Sequence, residues 1–471
     1  MLFKKFQIEK KKVALLSTSM SLTFEDLENE YEIIKKIIPR SSLILMISDN
    51  NLGVIANYTS FIKNDCIIQL VDSKTDILEL ERIIKLYKPE YISFSKNWNE
   101  NNKFNKHNLK KIHTFFENMI FKTKYKKKRV KKGLCILMPT SGSMGSKKYV
   151  RITKENIFNN TNSIISYLNL NKRDRSITSM PFCYSYMLSV INSHLEIGAS
   201  IFVTQESIIQ SNFWRHFLEN KINNFNGVPY HYEILIKLGL RKKNFSNLKF
   251  FTQAGGKLDT SKTEDILKFC LKQKKQFYIM YGQTEASPRM SYFNLVDSQE
   301  KIGSIGRPIP GGNFYLIDEK GNKIKQSNVI GELVFKGKNV SIGYAYNRKD
   351  LSKDDKSKKE LKTGDLAFYD RDKFYYLTGR KNRIIKLYGN RFNLDDIEEK
   401  FLRQKITIAC ITEDEKLIVF VEKNYPKHKV LKKIHEITLI NKINIKIIAL
   451  RKIPRLNNGK INYKKLNYKN D

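Results

Sequence analysis

Thr140, Ser141, Gly142, Ser143, Met144, Gly145, Ser146, Lys147 and Lys148 stand consecutively, just after the apolar run 134–138. Two glycines allow a tight bend and bring backbone N–H groups close to a ligand. Hydroxyl side chains donate to phosphate oxygens, and lysine adds positive charge. The run therefore reads either as a phosphate cradle or as a basic surface turn. It is not a P-loop, which needs a glycine, four residues, and then Gly-Lys-Ser/Thr. The glycines here are Gly142 and Gly145.

The rest of the chain decides between the two readings. Tyr281-Gly282-Gln283-Thr284-Glu285 follows the apolar run 277–280. Thr363-Gly364-Asp365 comes next, then Gly379-Arg380, and near the end Pro454-Arg455-Leu456-Asn457-Asn458-Gly459-Lys460-Ile461. In this order and spacing the set resembles the adenylate-forming superfamily of acyl-CoA synthetases, peptide-synthetase adenylation domains, D-alanine–carrier-protein ligases and luciferases. The resemblance runs from about Leu43 to Leu466 and rests on five motifs together.

Activation is needed because a carboxylate has a poor leaving group and repels nucleophiles. Joining it to AMP removes both obstacles, and bringing two anions together demands cations and phosphate donors. The resemblance implies two steps. Carboxylate and MgATP give an acyl-adenylate and pyrophosphate; a thiol, from CoA or a carrier protein's phosphopantetheine, then displaces AMP.

The resemblance also implies roles for individual residues. Thr140, Ser141, Gly142, Ser143, Gly145 and Lys148 would hold the β- and γ-phosphates. Met144 and Lys147 depart from the family pattern, which has Ser/Thr and Pro there. A hydrogen bond lost at Met144 is worth about 0.5–1.5 kcal/mol. Thr284 would meet phosphate and Glu285 would hold Mg²⁺, an ion that favours one or two carboxylates plus phosphate oxygens. Tyr281 and Gly282 would flank adenine, and Gly255 and Gly256 would line the adenine and acyl pocket. Asp365 would take the ribose hydroxyls with Arg380 beside it. Lys460 would be the catalytic lysine of a mobile C-terminal domain. Asn382 falls at the hinge, and Lys386, Gly389 and Arg391 would face the thiol channel. Tyr184, with Gly227, Val228 and Pro229, would wall the acyl pocket.

Composition narrows the alternatives. With 86 basic and 47 acidic residues the net charge is +39, enough to draw in polyanions such as ATP and CoA. Lys, Asn and Ile are abundant throughout, as in a protein of an AT-rich genome. With no aromatic-interleaved basic motif, no nucleic-acid partner is expected. Five cysteines at 66, 135, 183, 270 and 410 include no Cys-x-x-Cys, which suits reduced thiols and a cytoplasmic location. No apolar stretch nears the ~18 residues of a transmembrane helix, and the basic start does not read as a secretory signal. The basic run 122–132 reads as a solvated linker.

Strand and helix patterns alternate through the first 170 residues: a helix after Thr23, strands at 42–47, 66–71 and 91–94, helices at 51–61, 77–87 and 154–168. Farther on, a strand at 248–252 precedes a helix from Asp259 or Thr260 to about 273. Glycine and proline cluster at 303–312, short strands follow at 314–317, 331–336 and 373–378, and 347–362 reads as a charged loop. The remainder carries a helix at 395–403 and strands at 406–411 and 417–422. The fold expected is α/β: a large N-terminal domain of parallel α/β subdomains with a small β subdomain, residues 1–379, then a small mobile α+β C-terminal domain, residues 380–471. The function expected is ATP-dependent activation of a small carboxylic or amino acid, followed by transfer to CoA or a separate carrier protein. The alternative is a degenerate member that binds nucleotide or a partner without turnover.

Overall fold

A computed structural model describes residues 2–102, 109–139, 148–240, 245–355, 357–387, 390–413, 416–456 and 461–466. The chain divides into two compact units. The first is Met1–Ile302, Gly306–Asn313 and Phe335–Leu361; the second is Gly303–Ile305, Phe314–Val334 and Lys362–Asp471.

An eight-stranded sheet dominates the first unit. Its centre is four parallel strands in the spatial order Leu134–Pro139, Ile67–Asp72, Leu43–Ser48, Tyr91–Ser95. These are near-continuous apolar runs because both faces are covered. All six residues of Leu43–Ser48 are buried. The sequence pattern anticipates a parallel sheet, and the structure corrects this at the edges. Lys110–Phe115 and Asn118–Lys122 extend one side antiparallel, and Tyr149–Thr153 with Tyr344–Ala345 extend the other. Parallel pairs need long crossovers, whereas edge hairpins need only a short turn.

The helices begin where short polar side chains satisfy their first N–H groups. Thr23 and Asp26 form a reciprocal capping box for Phe24–Ile37. Asn51 caps Leu52–Lys63, and Asp259 caps Thr260–Gln273. Thr153 and Asn156 do the same for Lys154–Tyr167.

A second sheet of this unit orders Asn224–Gly227, Phe250–Gln253, Gln276–Gly282, Arg289–Asn294 and Arg307–Pro308, parallel at first and antiparallel from Arg289 on. The segment 347–362 is less irregular than its charge suggests. Asn347 caps a short 3-10 turn, Arg348–Ser352, and a strand starts at Glu360. The basic run 122–132 is largely exposed, as expected, although Lys131 pairs with Asp354 at 2.5 Å.

In the second unit, Glu360–Tyr369 pairs antiparallel with Tyr375–Arg380. The expected strand at 373–378 is thus displaced by two residues, because a turn at Asp370 and Lys373 occupies its start. A separate core follows. The helix Leu394–Leu402 packs Leu394, Ile397 and Phe401 on Ile408, Leu417, Val419 and Ile445 of a three-stranded sheet. Among the described residues, no helix is long and apolar enough to cross a membrane.

Candidate active site

The strand Gln276–Gly282 delivers the Thr-Glu pair. A Cβ built on Gly282 would lie 1.7 Å from the Pro288 carbonyl oxygen, so only glycine lets the chain fold back so closely. Thr284–Ala286 then forms a 3-10 turn. Segment 339–341 braces it. Asn339 Nδ2 donates to the carbonyls of Ala286 (2.6 Å) and Arg289 (2.9 Å), and the Ser341 N–H donates to the Glu285 carbonyl (2.8 Å).

The Glu285 carboxylate accepts a hydrogen bond from the Tyr344 hydroxyl at 2.8 Å. Burial and the nearby carboxylate both push the Tyr344 phenol above its ordinary range, so it stays protonated as the donor. Lys148 Nζ lies 3.4 Å from the centroid of the Tyr344 ring, a cation–π contact. Thus Lys148, the described end of the Gly/Ser stretch, is joined to Glu285 through one aromatic side chain. Thr284 Oγ1 is 3.4 Å from Ser185 Oγ. Ser185 opens the helix Ser185–Ile197, whose N-cap Tyr184 supplies no side-chain cap. The first N–H groups of a helix attract anions when no side chain occupies them.

A second cluster gathers the residues expected around the acyl pocket. Asn224–Gly227 and Phe250–Gln253 pair side by side, and the Ala254 N–H donates to the Gly227 carbonyl at 3.2 Å. Val228 stands at the N-cap position of the helix that Pro229 opens, with no side-chain hydrogen bond to it. Gly255 has a φ of +84°, and a Cβ there would meet Val228 Cγ1 at 3.1 Å. Gln253 Nε2 holds the Gly256 carbonyl at 2.8 Å. Tyr186, two residues past Tyr184, donates to the Thr252 carbonyl at 2.8 Å. The stretches around 184, 227–229 and 252–256 are therefore brought together. Tyr281 is partly buried, with Gln283 Nε2 3.4 Å from its hydroxyl.

In the second unit, Asp365 and Arg380 face each other across paired strands. Arg380 Nε lies 3.0 Å from Asp365 Oδ1; the carboxylate is buried and the guanidinium mostly exposed. Anchorage changes across Asn382, which is exposed. Lys381 binds Glu332 at 2.8 Å. Arg383 binds Asp395 (2.7 Å), Glu398 (2.6 Å) and the Cys410 carbonyl (2.8 Å). Lys386 pairs through its backbone with Arg391.

Thr140, Ser141, Gly142, Ser143, Gly145, Gly389 and Lys460 lie outside the described residues. Tyr344 is the residue that sequence reasoning passed over. Its only local signal is the preceding Gly343, with φ +97°.

Residues 41–345, well over half of the chain, match the family described as AMP-binding enzyme. Oxalate–CoA ligase of Saccharomyces cerevisiae is 28% identical over 55% of this chain and 47% of its own length, so the chain spans about half of that relative. D-alanine–D-alanyl carrier protein ligase of Lacticaseibacillus casei is 25% identical over 69% of each. Among solved structures, O-succinylbenzoate coenzyme A synthetase from Bacillus subtilis, in complex with ATP and magnesium ion, aligns over 98% of both chains with a TM-score of 0.77 at 18% identity. The mixed α/β architecture is common to both, and the match across residues 41–345 establishes that this chain belongs to the AMP-binding enzyme family.

Proposed function

We propose that this chain is an acid–thiol ligase. It would join a carboxylic or amino acid to AMP with release of pyrophosphate, then pass the acyl group to the thiol of CoA or of a separate carrier protein. One observation carries the reading: in a chain of the AMP-binding family, the Glu285 carboxylate is fixed by Tyr344 beside the Thr284 hydroxyl, with Lys148 over the same ring. Hard oxygen donors of this kind suit Mg²⁺ completed by phosphate oxygens and water. When bound, Mg²⁺ would neutralise phosphate charge as it builds; Glu285 would hold it.

The resemblance to the family supplies the roles proposed for the other residues. Thr284 and the Thr140–Lys148 stretch would donate to phosphate. Asp365, its carboxylate shaped for a diol, would take the ribose with Arg380 alongside, while Tyr281, Gly255 and Gly256 would border the adenine. Lys460 would neutralise charge between the attacking carboxylate and the α-phosphate. Tyr184, Gly227, Val228 and Pro229 would wall the acid. Residues 380–471 would turn about Asn382 between the two steps, bringing Lys386 and Gly389 to the thiol. ATP as co-substrate and unpaired cysteines suit a cytoplasmic location.

The test is carboxylate-dependent exchange of labelled pyrophosphate into ATP across a panel of acids. Exchange that disappears in Lys460→Ala and falls in Glu285→Gln supports the reading. Tight ATP binding with no exchange for any acid overturns it in favour of a nucleotide-binding member without turnover.

A further inference from the structure

Arg289 is the largest fully enclosed side chain described, only 2% exposed. Its backbone is held from two directions, its carbonyl accepting from Asn160 Nδ2 (3.0 Å) and Asn339 Nδ2 (2.9 Å). The guanidinium has poor company for a cation. Its carbon lies 4.2 Å from the centroid of the Tyr186 ring. Nε donates to Ser189 Oγ at 3.1 Å, and a terminal nitrogen reaches Met280 Sδ at 2.5 Å. The guanidinium also donates a side-chain hydrogen bond to the Tyr186 hydroxyl. Two hydroxyls, a thioether and a ring face are weak acceptors. Among the described residues no carboxylate pairs with it. Buried arginines ordinarily have such a partner, because an ion removed from water is costly unless an opposite charge meets it.

The position of this cation matters. Tyr186 and Ser189 lie on the helix Ser185–Ile197, which starts at Tyr184. The Tyr186 hydroxyl binds Thr252, on the strand that leads into Gln253 to Gly256. Met280 immediately precedes Tyr281. The guanidinium therefore sits among the side chains behind the surfaces assigned above to the acid. Its planar fork matches a carboxylate with two parallel hydrogen bonds.

Resting on the ligase reading, we infer that the acid activated here carries a second carboxylate, and that Arg289 receives it. One carboxylate of the substrate would react at the phosphate end while the other ion-pairs with Arg289. Arg289 is then a residue that selects dicarboxylic acids over monocarboxylic acids of equal length. The competing explanation is structural: Arg289 only ties Tyr186, Ser189 and Met280 together.

The experiment compares matched pairs in the pyrophosphate exchange assay: malonate with propionate, succinate with butyrate, glutarate with pentanoate, adipate with hexanoate. For at least one pair, wild-type protein should favour the diacid by about 100-fold or more in kcat/KM, chiefly through KM, since an unmet buried polar group rejects the analogue that lacks its partner. Arg289→Leu should erase that preference, and Arg289→Lys should restore part of it. The wild-type comparison stands even where Arg289→Leu does not fold. Monoacids used as well as or better than their diacids in every pair would overturn the inference and leave the ligase reading intact. Exchange with no acid at all would overturn the ligase reading, and this inference with it.

Discussion

At the residue scale, the proposed chemistry depends on how rigidly one carboxylate is aimed. Glu285 is held from the backbone side by Ser341 and from the side-chain side by Tyr344. A hydrogen bond to a charged group contributes about 1.5–3 kcal/mol. Tyr344→Phe removes only the hydroxyl; the ring that carries Lys148 remains, and so does the cation–π contact. The variant should fold normally. Its pyrophosphate exchange should fall about 10- to 160-fold, at 1.36 kcal/mol per decade, and should need more Mg²⁺ for half-maximal rate. Unchanged rate and Mg²⁺ dependence would show that Tyr344 does not set the carboxylate. The same pair shows where sequence reasoning stops. Thr284 and Glu285 can be named as candidates from the sequence because Tyr281 to Glu285 resembles a family motif that stands in order with four others. Tyr344 cannot, because it lies 59 residues from its partner and nothing local distinguishes it from a core tyrosine.

At the element scale, what could be read was what is determined locally. Helix starts at Thr23, Asn51, Thr153 and Asp259 were visible because one side chain closes each cap within two or three residues. The edge strands were not. Lys110–Phe115 carries lysines and a histidine on a largely uncovered strand, so it lacks an apolar signature, and antiparallel pairing with its neighbour defines it. One cap does more than start its helix. Asn156 closes the box with Thr153, and its Nδ2 donates to the carbonyls of Lys338 (2.7 Å) and Val340 (2.8 Å), fastening the helix to the segment that braces Glu285. Asn156→Ala should therefore cost more than an exposed cap. Losing the box and leaving two carbonyls unmet in a mostly buried place should destabilise by about 2–3 kcal/mol. Urea unfolding followed by circular dichroism measures it. A loss below about 0.5 kcal/mol, the range of ordinary surface substitutions, would mean that water replaces the side chain without penalty.

At the scale of the whole molecule, the alternation of strand and helix patterns made the α/β class legible, whereas compactness follows contacts that sequence cannot show. The second compact unit groups Phe314–Val334 with Lys362–Asp471, and strands from both stretches share one five-stranded sheet whose last strand ends at Arg380. Motion is a different question, and the side chains on either side of Asn382 bear on it. Lys381 is tied to Glu332, on the strand Gly331–Gly337. Arg383 is tied to Asp395 and Glu398 of the helix Leu394–Leu402, whose apolar face belongs to a separate core. If residues 380–471 turn between adenylation and thiol transfer, the backbone rotation must be absorbed between these two anchors, and exposed Asn382 is the residue available. Proline there fixes φ near −65° and removes that freedom. Asn382→Pro should leave acid-dependent pyrophosphate exchange within about threefold, yet slow thioester formation about 100-fold, the signature of a hinge that gates only one step. Asn382→Ala, which keeps a rotatable φ, should leave both steps close to wild type. Quench-flow assays of the two half-reactions separate the outcomes. Equal losses in both steps, or none in either, would place the pivot elsewhere in the chain.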